Sequence, residues 1–158
     1  MRDAFFFLSI GGLGVSVAGF SGPVTAFRRR EEGWTRAELW RVRAIPRLSF
    51  VLVFLALLPF PLYALTGDEA LVIRLVSGIV VVAYLSDIVA PRFDMANWPG
   101  RSWLANAAAD SALALVPLVN IFAAQTGLLE LALLLRLVHP VTLFFLVLRH
   151  FEPPVADA

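Results

Sequence analysis

Arg136 lies inside an otherwise apolar run, three positions before the dipeptide His139-Pro140. A guanidinium stays charged wherever it is placed, and an imidazole changes charge near neutral pH. Pro140 has no N–H to offer the carbonyl of Arg136, so an acceptor is freed beside both side chains. Two carboxylates, Asp87 and Asp110, and one carboxamide, Asn120, occupy other apolar runs. Polar and ionisable groups in hydrocarbon are costly, and they mark either a path for ions or protons or a structural pair. The chemistry open to this set is therefore proton relay or the passage of a small ion. Arg136, His139 and Asn120 would stand at mid-depth, with Asp87 and Asp110 at an inner mouth. A plainer expectation gives Asp87 to Arg92, Asp110 to Arg101, and Arg136 to Asn120 or to a freed carbonyl. Arg74 and Glu130, each about one turn from the outer end of its run, share a level and are expected to form an interhelical ion pair.

Other chemistries find little footing. There is no cysteine and no lysine, which removes thiol catalysis, disulfides and Schiff bases. The two histidines, His139 and His150, are separated by apolar residues, and no HExxH or glycine-rich phosphate loop occurs. No metal, no cofactor and no catalytic role is expected. Gly19-Phe20-Ser21-Gly22 resembles the GxSG string around the nucleophile of rhomboid-type intramembrane proteases, a likeness covering four residues. It would imply that Ser21 works with a histidine. Ser21, however, falls near the cytoplasmic end of its run and His139 near mid-depth, so the glycines read better as a helix end.

The elements that must position these groups follow from composition. The 158 residues are 59% hydrophobic and only 16% charged, with a mean hydropathy of +0.81. A soluble domain is about 45–50% apolar, and one this small could not hide the excess. The solvent for most of the chain is lipid. The net charge of +1 gives no field for nucleic acid. Five apolar runs, about 4–27, 46–65, 70–90, 104–124 and 128–150, each approach the roughly 20 residues needed to cross a bilayer. The fold class is an all-α integral membrane protein, a single polytopic bundle of five transmembrane helices. Residues 28–45 form an arginine-rich loop with a short interfacial helix, opened by the capping pattern Thr35-Arg36-Ala37-Glu38.

Arginine placement gives the orientation. With the N-terminus outside and the C-terminus cytoplasmic, Arg28, Arg29, Arg30, Arg36, Arg41, Arg43, Arg47, Arg92, Arg101 and Arg149 all lie inside. The expected location is the inner cell membrane. In the first run, Gly12, Ser16 and Gly19 fall on one side and Gly14, Ala18 and Gly22 on another, a spacing that lets helices approach closely in lipid. Prolines Pro59, Pro61, Pro117 and Pro140 are expected to break their helices. Two functions fit. The first is a non-enzymatic accessory or assembly subunit, working by helix–helix association as a homo-oligomer or with a membrane partner. The second is a small proton or ion channel or transporter built on the polar set.

Overall fold

The computed structural model describes residues 3–27, 36–89 and 102–148, with backbone alone for 24–27, 36–38 and 102–107. Every element among them is helical: α1 (Ala4–Phe27), α2 (Arg36–Leu57), α3 (Pro59–Thr66), α4 (Glu69–Val89), α5 (Ser102–Ala123) and α6 (Thr126–Leu148). Helices α2 and α3 form one broken span, so the chain is a five-helix membrane bundle. Ala4–Pro23, Leu39–Thr66, Glu69–Val89 and Thr126–Leu148 are long and apolar enough to cross a bilayer. The 22 residues of α5 include the shorter apolar stretch Ala108–Ala123. At 1.5 Å per residue the 21 residues of α4 reach about 31 Å, close to the thickness of a hydrocarbon core.

Helix α6 is the hub and packs against α1, α2, α4 and α5. Helix α1 leans mainly on α2, and α5 on α4. Residues recurring every three or four positions explain this arrangement, because they form one stripe on a helix. On α6 the buried stripe is Leu129, Ala132, Leu133, Arg136, Pro140, Leu143 and Val147. On α4 it is Val72, Ile73, Val76, Ser77, Val80 and Tyr84. Large apolar side chains such as Phe54, Phe122 and Phe145 point outward, as a lipid solvent permits.

Prolines act differently from expectation. Only the pair Pro59 and Pro61 coincides with a break, where α2 ends at Leu57 and α3 begins at Pro59. Pro117 and Pro140 lie inside continuous helices. Each removes one backbone bond, yet both rings are buried, and the packing on either side carries the helix through. Pro46 likewise lies within α2, so the expected short helix ending near Ala44 and the span that follows are one element. Ala44, Ile45 and Leu48, on both sides of that proline, are held in one cluster with Leu143 and Val147 of α6. Thr35 of the capping pattern and the loop 28–35 lie outside the described residues.

The α3–α4 and α5–α6 corners are tightly specified. Gly67 closes α3 in the left-handed conformation at φ 67°, which glycine adopts at no steric cost, and its N–H donates to the Tyr63 carbonyl. Asp68 then caps α4, its Oδ1 accepting from the Leu71 N–H at 3.0 Å. At the α5–α6 corner Ala124 takes φ 52°, and Asn120 Oδ1 accepts the Gln125 N–H at 2.8 Å.

Candidate functional site

Two apolar clusters pack α6 against α2, with a polar layer between them along those two helices. The first cluster uses Leu129, Ala132 and Leu133 of α6 with Leu52, Leu55 and Ala56 of α2. The second uses Leu143 and Val147 of α6 with Ala44, Ile45 and Leu48 of α2. Arg136 and His139 therefore fall between the clusters on α6, and Ser49 falls between them on α2. Arg136 is ten residues past Thr126, about 15 Å along a helix of about 34 Å.

The register of α4 against α5 brings the acids to this layer. Asn120 Nδ2 donates to Ser77 Oγ at 3.0 Å and fixes the two antiparallel helices level with each other there. Asp87 is ten residues beyond Ser77, and Asp110 is ten residues before Asn120. Both carboxylates thus sit about 15 Å from that contact along their helices, level with each other. Each is on the inward stripe of its helix: Asp87 follows Val80 and Tyr84, and Asp110 precedes Ala114 and Pro117.

Arg136, only 4% exposed, donates from one terminal nitrogen to Asp87 Oδ2 at 2.7 Å. Its guanidinium carbon stands 4.7 Å from the centre of the Tyr84 ring, within cation–π range. The Tyr84 hydroxyl in turn donates to the Ala132 carbonyl at 3.5 Å, a weak bond. His139 Nδ1 faces Asp110 Oδ1 at 3.4 Å, with side chains 26% and 9% exposed. Arg136, Asp110 and Asp87 all act electrostatically on the Tyr84 hydroxyl, so the two pairs share one neighbourhood. Two polar atoms in the interior have no hydrogen-bond partner among the described residues: Arg136 Nε and Ser49 Oγ.

Several expectations are corrected. Arg136 meets Asp87 and not Asn120, because Asn120 lies three residues from the C-terminal end of α5 and is engaged by Ser77 and Gln125. Asn120 thus ties down the α5–α6 corner and takes no part in the polar layer. Asp87 and Asp110 do not form a separate inner mouth; they stand level with Arg136 and His139. The expected partners Arg92 and Arg101, and His150, lie outside the described residues. Arg74 and Glu130 form no pair. Arg74 faces outward, about 100° round α4 from the buried Ile73, while Glu130 lies toward α1, where Asp3 is its charged neighbour. Equal depth had suggested the pair, but the helix faces differ.

The small residues of α1 divide between two faces. Gly14 is buried against α2, where an added Cβ would stand 2.9 Å from Val53 Cγ2 and 3.2 Å from the Ser49 carbonyl oxygen. Gly12, Ser16, Gly19 and Gly22 are exposed, and Ala18 is half-buried. Gly14 therefore joins helices within the chain. Ser21 donates to the Ala18 carbonyl at 2.6 Å. Val17, one turn earlier, already packs beside Leu143 and Val147, which places Ser21 beyond the level of His139.

Tyr84, Ser77 and Ser49 were not anticipated. Tyr84 and Ser77 could have been found by following the three-and-four spacing back from Asp87. Ser49 had no such cue. Among the described residues no group of three or more His, Cys, Asp or Glu side chains could hold a metal ion. No protein-family model, curated protein or solved structure matches this chain.

Proposed function

We propose that this small multi-pass membrane protein handles protons or small cations at the polar layer of its bundle. One observation carries the reading: a guanidinium, an imidazole and two carboxylates from three helices converge in the bundle, Arg136 and His139 lying between two apolar clusters along α6. Apolar side chains of similar volume would hold the same helices together without the desolvation cost of four ionisable groups. Intramembrane charge that faces a bundle interior is the usual mark of an ion or proton path. The working orientation is N-terminus outside, in an inner cell membrane, as helical spans suit that membrane better than a barrel would. Arg41, Arg43 and Arg47 near the start of α2, and Asp68 and Glu69 at the α3–α4 corner, support that polarity.

Purified protein in proteoliposomes carrying an internal pH dye tests this reading. An imposed potential should drive a proton flux above that of empty vesicles, and both Asp87→Asn and Asp110→Asn should abolish it. No wild-type flux of protons, sodium or potassium, or a flux untouched in both variants, would overturn the proposal.

A second reading, an accessory or assembly subunit, is favoured by the outward face of α1. There Gly12 and Gly19 have no atom within 4 Å of an added Cβ, leaving room for a helix of another copy or of a membrane partner. Gly12→Leu with Gly19→Leu should then lower the native mass of the complex while the monomer stays folded. An unchanged mass would remove this reading.

A further inference from the structure

We infer that Asp110 and His139 together form a binding site for a single proton, so that the ligand of the polar layer is H⁺ and not a metal cation. The inference deepens the proposal above and rests on it for its physiological meaning, although binding is an equilibrium property measurable without transport.

The argument is a count of charge. Arginine keeps its proton in proteins, and Asp87 Oδ2 at 2.7 Å balances the Arg136 guanidinium. That pair is neutral and closed. Asp110 and His139 face each other at 3.4 Å, and among the described residues no second cation pairs with either. Carboxylate with imidazolium is neutral, and so is carboxylic acid with imidazole; both arrangements contain one exchangeable proton. Loss of that proton leaves the layer at −1, and gain of a second brings it to +1. Each uncompensated charge would fall on side chains only 26% and 9% exposed, where water solvates it poorly.

Among the described residues no other group alters the count. Helix α4 contributes Asp87 and the Tyr84 hydroxyl, and α6 contributes Arg136 beside His139. Between residues 4 and 23, α1 has no titratable side chain. The buried face of α2 presents Ser49 among apolar residues, with Arg43 and Arg47 outward and Arg41 only partly covered. A hard metal cation would need six or more oxygens, whereas one carboxylate here is taken by Arg136 and the other faces an imidazole. With Nδ1 turned to Asp110, Nε2 of the part-exposed His139 is the atom through which the proton exchanges.

The test uses the full chain in lipid nanodiscs, with ¹⁵N-histidine and His150→Gln so that one imidazole reports. Nitrogen shifts give the charge of His139, and the infrared carbonyl band of a protonated carboxyl gives that of Asp110. At neutral pH the two should sum to one proton. A neutral imidazole with no protonated carboxyl, or an imidazolium alongside one, would overturn the inference. Asp110→Asn should remove the proton and leave His139 neutral, and an imidazolium persisting there would count equally against it. If that variant does not fold, the wild-type sum decides alone. One bound proton without proteoliposome flux would defeat the transport reading and leave the site standing; flux with an empty pair would do the reverse.

Discussion

Replacing Asp87 with asparagine removes one charge from the polar layer and leaves its shape nearly intact. At 2.7 Å and an effective dielectric of about 20, the Arg136–Asp87 attraction is roughly 6 kcal/mol before desolvation is subtracted. Desolvation cancels much of that in the intact pair, so the pair itself adds little net stability. The variant is a different case. Arg136 is buried and already has an unpartnered Nε, and it would keep its charge with no counter-ion. Breaking a buried pair from one side costs about 3–5 kcal/mol. The asparagine carbonyl can still accept one hydrogen bond, which returns about 1 kcal/mol. The expected loss is about 2–4 kcal/mol, read from reversible unfolding in mixed micelles of increasing SDS fraction, followed by circular dichroism. The double variant Asp87→Asn with Arg136→Gln has no orphaned charge and should recover at least about 1 kcal/mol of that loss. A single-variant cost below about 0.5 kcal/mol, or a double variant no better than the sum of the singles, would refute the reasoning.

Two further outcomes follow from the same geometry. Gly14→Val should destabilise the monomer by about 1–3 kcal/mol in the same assay, because its Cβ meets Val53 and the Ser49 carbonyl, whereas Gly12→Ala, with open space around it, should cost less than about 0.5 kcal/mol. Because the native chain has no cysteine, Asp68→Cys provides a single thiol at the α3–α4 corner. A membrane-impermeant maleimide should label it in intact cells, and protection until lysis would invert the orientation.

Much of the bundle was legible because lipid imposes a simple rule: backbone polar groups must be satisfied within helices, so long apolar runs become helices. The second run, expected to begin near residue 46, is instead continuous with the helix that starts at Arg36. The proline positions were read too strongly. A proline deletes one backbone bond, but Pro117 and Pro140 lie on buried stripes whose contacts hold both halves of the helix in line. The polar layer was half legible. Depth along each run placed Arg136 and His139 at mid-helix and Asp87 in the last turn of α4, but it also suggested that Arg74 should find Glu130 and gave no sign that Arg136 would reach Asp87. Depth is one coordinate and rotation about the helix is the other. Arg136 falls seven residues after Leu129 and seven before Leu143, and Asp87 seven after Val80, so each stands on a stripe that faces inward. Arg74 falls beside such a stripe and faces out. The offset between α4 and α5 is a tertiary fact set by Ser77 and Asn120, which no single segment contains.

Protons must reach side chains that are largely buried in the bundle, and thiol accessibility measures that directly. Single cysteines at positions 110 and 139 would be probed in proteoliposomes with a small water-soluble methanethiosulfonate, and Val119→Cys on the exposed face of α5 would report lipid. The account predicts reaction at 110 and 139 that a reagent confined to one side of the membrane can reach, with the thiol at position 119 inert. Positions 110 and 139 as unreactive as 119, while Asp68→Cys in the same vesicles labels fully, would show the layer sealed from water and contradict a proton-handling role.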